Sequence, residues 1–163
     1  MIELINSKHN REAFDCGNEL LSNYLKTQAS QDIKRKLSAC FVLLENKKTI
    51  LGYYTLSNNS IPLSSFSESI QKKFPKSYKS IPTTLLGRLA IDSKHQNKGY
   101  GEILLIDALK RSFEYSKEIG SFAVVVDPIN EEAEKFYSKY EFIKLPDSKK
   151  MIVAMKTLEY LFS

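Results

Sequence analysis

The stretch from Thr83 to Asp127 constrains the fold more than any other part of the chain. "TTLLGRLAID" (83–92) is apolar on both faces in part, as a central strand is. A short polar loop, "SKHQNKGYG", follows it. From Gly99 to Lys117 the apolar residues Ile103, Leu104, Ala108, Leu109 and Phe113 recur at helical spacing. "SFAVVVD" (121–127) is a second buried strand. Strand, helix and strand in that order imply two parallel strands joined by a right-handed crossover. The fold class is therefore α/β, and a length of 163 residues suits a single domain spanning 1–163.

The flanks add antiparallel strands and more helix. Residues 14–37 predict a helix, with Leu20, Leu21, Tyr24, Leu25 and Ala29 on one face and Asp15 or Gly17 at its start. "ACFVLLE" (39–45) and "ILGYYTLS" (50–57) predict a hairpin across the polar "NKK". Residues 58–82 hold Pro62, Pro75 and Pro82 and predict a long excursion with one short helix near 64–73. Asn130 to Tyr140 predicts a short helix capped by Asn130, and 141–145 and 149–158 predict closing strands. The sum is a mixed central β-sheet flanked by helices.

Several function classes drop out. No apolar run approaches the roughly 20 residues that span a bilayer, and "MIELINSKHNR" lacks a secretory signal's apolar stretch. A cytoplasmic protein with no membrane partner is expected. Cys16 and Cys40 have no metal-ligand spacing, so no metal is expected and both thiols read as structural. His9 and His95 read as surface residues, and Asp15, Cys16 and Gly17 as a structural turn. The net charge of +5 favours an anionic partner such as RNA or a phosphorylated cofactor, and it also suits plain solubility.

Two segments carry chemistry. The loop Gln96, Asn97, Lys98, Gly99, Tyr100, Gly101 delivers the chain to a helix N-terminus. N–H groups there lack intrahelical partners and the helix dipole favours anions, so the loop reads as a diphosphate cradle or as a plain glycine-rich turn. Gln96 and Lys98 would add donors to the cradle. In "VVVDPINEEAEKFYSKYEF", Tyr137 lies on the helix after a buried strand. It reads either as part of an apolar helical face with Ala133, Phe136 and Tyr140, or as a proton donor to a leaving thiolate.

"LGRLAID….QNKGYG" followed by "AVVVD….AEKFYSKYEF" resembles the coenzyme A-binding core of GNAT-type N-acetyltransferases. Gln96 to Gly101 match that family's Q/R-x-x-G-x-G/A loop, and Phe136 and Tyr137 match its "FY". "REAFDCGNELLSNYLKTQASQD", "ILGYYTLS" and "IPTTLLGRLAID" are similar to the toxin subgroup, whose members acetylate the α-amino group of aminoacyl-tRNA and so block translation. The resemblance covers essentially the whole chain. It departs from the common pattern at Asn97 and Glu141, where many relatives carry glycine. Asn97 is expected to be tolerated if its backbone is not forced to positive φ, and Glu141 is expected to alter a turn rather than the chemistry.

The resemblance implies a GNAT fold with splayed central parallel strands and acetyl-CoA as co-substrate. It places the pyrophosphate on the N–H groups of 97–102, Glu102 included, with Asn130, Ala133 and Phe136 lining the cofactor. The pantetheine arm would pair with the backbone of Leu89, Ala90 and Ile91, and an N–H near Ala90 or Ile91 would hold the oxyanion. Tyr137 would be the acid, and no residue stands out as a base. Arg88 would hold a phosphate or the substrate, or form a structural ion pair. Lys34, Arg35 and Lys36, with Lys72, Lys73, Lys76 and Lys79, would touch tRNA. A ribbon-helix-helix antitoxin and a homodimer are the implied partners. A GNAT enzyme acting on a protein N-terminus, a lysine or a small amine is the alternative.

Overall fold

The structure is a computed structural model that describes Met1–Phe162. Its strands are β1 (Ile2–Leu4), β2 (Ala39–Leu44), β3 (Ile50–Pro62), β4 (Ser80–Ile91), β5 (Ala123–Val126), β6 (Ile143–Lys144) and β7 (Met151–Ala154). They are hydrogen-bonded in the order β1-β2-β3-β4-β5-β7-β6. The pairing of β4 with β5 is parallel, while β1–β2, β2–β3, β5–β7 and β6–β7 are antiparallel. The helices are α1 (Glu19–Asn23), α2 (Ala29–Lys34), α3 (Glu68–Gln71), α4 (Tyr100–Ser116), α5 (Glu131–Ser138) and α6 (Met155–Phe162). The mixed sheet and the crossover from β4 through α4 to β5 are as the sequence predicts.

The chain folds as two compact units. The first takes Met1–Ser57 and Leu86–Ala108. Its core holds Phe14, Tyr24, Leu25, Val42, Tyr53 and Ala90. Tyr53 organises that core. Phe14 meets it edge-on at 5.6 Å, Tyr24 stacks on it at 6.2 Å, and its hydroxyl donates to the Leu21 carbonyl at 2.6 Å. A buried tyrosine whose O–H finds a carbonyl keeps its apolar area without an orphaned donor.

The second unit takes Asn58–Leu85 and the chain from Leu109 onward. Ile61, Phe66, Ile81, Ala123, Val125, Leu145 and Ile152 form its core, with Phe74 and Phe122 packed against it. Alternate residues of β4 and β5 enter that core because side chains on a strand alternate between faces.

Four boundaries differ from expectation. The first helix starts at Glu19, because Asn18 caps it by accepting from the Leu21 N–H at 3.2 Å. Residues 14–18 are a turn, with Gly17 at φ +85° and its N–H bonded to the Asp15 carboxylate at 2.9 Å. A π-helical turn, Tyr24–Gln28, separates α1 from α2. The excursion is shorter than predicted, because β3 runs to Pro62 and β4 begins at Ser80. Proline at a strand terminus leaves the ladder intact, and the Leu63 N–H to Lys79 carbonyl bond (2.9 Å) ties the two strand ends together. The short helix within the excursion is only Glu68–Gln71, preceded by a 3₁₀ turn at Leu63–Ser65. Finally, the last strand stops at Ala154 rather than 158. Met155 and Leu158 are buried at a spacing of one helical turn, and the chain continues as α6.

His9 is not a surface residue. It is 5% exposed, accepts the Asn6 N–H at Nδ1 (3.1 Å) and faces Glu3 Oε1 through Nε2 at 2.8 Å. With Nδ1 accepting, the ring proton sits on Nε2 and is donated to the carboxylate.

Candidate active site

The loop between β4 and α4 is built by carboxylate and amide hydrogen bonds. Asp92, 8% exposed, accepts the Lys94 N–H at one carboxylate oxygen (3.0 Å) and the Asp15 N–H at the other (3.1 Å). The Ser93 N–H returns to the Asp15 carbonyl at 2.8 Å. The Gln96 amide donates to the carbonyls of Cys16 (3.1 Å) and Ile91 (3.0 Å). That amide therefore ties the "FDCG" turn to the loop. Both hydrogen bonds of the Gln96 amide nitrogen go to backbone carbonyls of the loop and the turn.

Beyond Gln96 the backbone turns left-handed twice, at Asn97 (φ +62°) and Gly99 (φ +84°). Asn97 thus stands at positive φ, the geometry in which its toleration was in question, and it is among the non-glycine residues that adopt this region most readily. Nothing lies within 4 Å of the position a Cβ on Gly99 would take, so the backbone there faces open space. The first bond of α4 runs from the Ile103 N–H to the Gly99 carbonyl (3.2 Å). The N–H groups of Tyr100, Gly101 and Glu102 accordingly have no intrahelical partner. Lys98 and Glu102 are exposed, while Tyr100 is half-buried, its ring 6.4 Å from that of His95. Donor N–H groups at the positive end of a 17-residue helix, beside a backbone stretch without side-chain cover, suit an anion such as a pyrophosphate.

β4 leads into this loop. Its parallel ladder with β5 covers Thr84↔Val124 and Leu85↔Val125, while the strand itself runs on through Leu89 and Ala90 to Ile91. Gly52 of β3 packs against the same segment. A Cβ there would lie 2.6 Å from Ile91 Cδ1 and 2.7 Å from the Ala90 carbonyl oxygen. Sequence reasoning missed Gly52, although a lone glycine inside the strand "ILGYYTLS" signals such a close approach.

Arg88 projects from β4 over the Tyr24 ring, its guanidinium carbon 3.6 Å from the ring centroid. Tyr24 is held in turn by its hydroxyl, which donates to Asp32 Oδ2 at 2.9 Å. Burial, reinforced by that carboxylate, pushes the Tyr24 phenol up to about 12. Among the described residues no carboxylate pairs with Arg88, so a cation–π stack stands where an ion pair was one expectation. Lys34, Arg35 and Lys36 are exposed at the end of α2. Lys36 is left-handed (φ +62°), with its N–H on the Ile33 carbonyl and that of Leu37 on the Asp32 carbonyl, a Schellman ending.

Tyr137 belongs to the second unit. It is 9% exposed, and burial pushes its phenol up to about 12. Asn130 caps α5 by accepting the Ala133 N–H at 2.8 Å, which occupies the Asn130 carbonyl oxygen. Phe136 is half-buried, its ring 5.3 Å from that of Tyr137 and 5.4 Å from that of Tyr140. The helix ends in a second Schellman motif. The Glu141 N–H meets the Ser138 carbonyl and the Phe142 N–H meets the Tyr137 carbonyl, both at 3.4 Å, with Glu141 at φ +70°. The Phe142 ring sits 5.2 Å from the Tyr137 ring, the hydrophobic contact that accompanies this motif. Backbone geometry at the helix end and a ring on the following residue thus fix the tyrosine. Among the described residues no group of three or more His, Cys, Asp or Glu side chains is arranged to hold a metal.

The acetyltransferase (GNAT) family matches residues 5–142. A tRNA-acetylating toxin from Mycobacterium tuberculosis is 30% identical over 145 residues, which is 88% of this chain and 85% of that protein. The solved structure of AtaT complexed with acetyl-methionyl-tRNAfMet superposes with a TM-score of 0.91 at 32% identity, covering 100% of this chain and 99% of that one. A tyrosine-to-phenylalanine mutant of the AtaT toxin, bound to the C-terminus of the antitoxin AtaR and acetyl-CoA, gives a TM-score of 0.84 at 29% identity, covering 100% and 98%.

Proposed function

The chain belongs to the GNAT acetyltransferase family, and from that premise we propose that it moves the acetyl group of acetyl-CoA onto the α-amino group of an aminoacyl-tRNA, as the toxin of a toxin–antitoxin pair. The opening of α4 supports the donor half of this reading, because Asn97 and Gly99 are left-handed and the backbone at Gly99 faces open space at the head of a 17-residue helix. The likeness to the tRNA-acetylating toxin and to the tRNA-bound AtaT supports the acceptor half.

In this reading the N–H groups of residues 97–102 hold the pyrophosphate, and exposed Lys98 adds a positive charge. Gln96 and Asp92 hold the loop in shape. The β4 backbone at Leu89, Ala90 and Ile91 takes the pantetheine arm as an added strand, with Gly52 letting β3 lie close on its other side. Acetyl-CoA supplies an activated thioester, and an N–H at Ala90 or Ile91 holds the carbonyl oxygen as negative charge develops there. Tyr137 returns a proton to the thiolate. Its raised pKa keeps the phenol protonated throughout the physiological range, so the proton is always present to give. An aminoacyl ester amine is less basic than a lysine, so a large share of it is already a neutral nucleophile and no dedicated base is required. Asn130, Ala133 and Phe136 place the helix that carries Tyr137. Arg88 and the cations Lys34, Arg35 and Lys36 serve the acceptor.

Block of translation, action in the cytoplasm, assembly as a homodimer and control by a ribbon-helix-helix antitoxin extend the same reading. The test is direct. The purified protein is incubated with labelled acetyl-CoA and a pool of charged tRNA. Label on the aminoacyl group is the expected result, and label only on proteins or polyamines would sink the reading.

A further inference from the structure

No acidic residue lies between Glu68 and Asp92, and within that window Lys72, Lys73, Lys76 and Lys79 cluster in "KKFPKSYK". All four lysines are exposed, and among the described residues none of them has an ion pair. A solvated lysine stretch normally carries interspersed carboxylates, and in this one the nearest acid in sequence is Glu68, one helical turn before Lys72.

The segment is held at three points. The Phe74 ring packs 4.9 Å from that of Phe122 and 5.9 Å from that of Phe66. The Gln71 amide donates to the Phe66 carbonyl at 2.8 Å. The Lys79 carbonyl accepts the Leu63 N–H at 2.9 Å. Between these ties the chain turns at Pro75–Tyr78, with the Tyr78 N–H on the Pro75 carbonyl (3.2 Å). Four cations therefore project from a backbone that is already ordered, which reduces the entropy lost when they are used. Tyr78 stands among them, 51% exposed. An exposed ring among lysines offers a stacking face for an unpaired base.

We infer that Lys72–Lys79 is a docking platform for the phosphate backbone of the acceptor RNA. The inference rests on the reading of aminoacyl-tRNA as acceptor and adds the surface that holds it. The platform acts on binding and leaves the transfer chemistry alone.

The test uses the full chain and deacylated tRNA, so that binding is read apart from catalysis. Affinity is measured against salt for the wild type and for the variant Lys72→Gln/Lys73→Gln/Lys76→Gln/Lys79→Gln. The slope of log affinity against log salt is expected to shrink by about 3 in the variant, since each phosphate contact contributes about 0.7–0.9. Tyr78→Ala is expected to weaken binding about tenfold with the slope unchanged, because the ring carries no charge. Acetyl-CoA affinity and acetylation of a simple amino acid ester should not move in either variant. An unchanged slope in the lysine variant overturns the platform. Loss of ester acetylation overturns it as well, by showing that these lysines serve the fold or the transfer site. An unchanged affinity in Tyr78→Ala overturns the part given to the ring as a stacking face for the RNA. If the wild type binds tRNA with a lysine-dependent slope but acetylates no aminoacyl-tRNA, the proposed function falls and the platform stands.

Discussion

Replacing Glu141 with glycine should stabilise this protein, and the size of the gain follows from one torsion. Glu141 sits at φ +70° in the Schellman motif that ends α5. A side chain in the left-handed region costs about 1–2 kcal/mol, because Cβ crowds the following carbonyl oxygen. Glycine removes that cost but loses about 0.5–1 kcal/mol more backbone entropy on folding. Glu141 is exposed and among the described residues has no ion pair, so little else is lost. The net gain is about 0.5–1 kcal/mol, a rise in Tm of roughly 1–4 °C for a chain of this size. Urea unfolding should show a higher midpoint with an unchanged m-value. Glu141→Ala is the control, since it removes the charge and keeps the Cβ, and it should leave stability within about 0.5 kcal/mol of the parent. A glycine variant no more stable than the parent would refute the reasoning. So would an alanine variant that gains as much as glycine, because the charge and not the torsion would then be responsible. Acetyl transfer should be unchanged in both, since the Phe142 N–H keeps its bond to the Tyr137 carbonyl.

Tyr137→Phe should bind acetyl-CoA as the parent does and lose about a hundredfold or more in kcat, measured by single-turnover acetyl transfer, and unimpaired turnover would remove Tyr137 as the acid. Gly99→Ala should cost about 1–2 kcal/mol in thermal unfolding and weaken acetyl-CoA binding in titration calorimetry, with the stability cost coming from the left-handed φ rather than from a collision, because space around the site is open. Gly52→Ala should be worse than Gly99→Ala, since its Cβ meets the β4 backbone at 2.7 Å, and circular dichroism melts of the two variants rank them. Burial raises the phenols of Tyr24 and Tyr137 to about 12 and shifts that of Tyr53 further upward. The folded state therefore holds these protons more tightly than the unfolded chain. The resulting stability is complete below the ordinary phenol value of about 10 and is lost as pH rises from there through about 12, as denaturant midpoints taken across that range should show.

The sequence made the crossover unit legible because its signals are local. Branched apolar residues marked β4 and β5, helical spacing marked α4, and Asn130 announced α5. The same locality hid other features. Prolines at 62 and 82 suggested a loop, yet each lies near a strand end where a missing N–H does little harm. The final strand was predicted too long because an alternating reading and a three-residue spacing both fit "MIVAMKTL" until tertiary burial chose between them. Gln96 matches a phosphate-loop pattern, and its amide also bonds the Cys16 carbonyl, which no local reading places beside it. His9 looked like a surface residue because its partner Glu3 lies on another part of the N-terminal segment. The roles of Tyr137 and Arg88 were open from composition alone, and only the family likeness assigned them chemistry.

The bond from Gln96 to Cys16 spans 80 residues of sequence, and that from Asp15 to Asp92 spans 77. The shape of this loop is therefore a product of long-range contacts and not a portable motif. Its closure entropy must be met before these bonds form. A fragment that carried the strand, loop and helix alone would keep the letters of the loop and lose its shape.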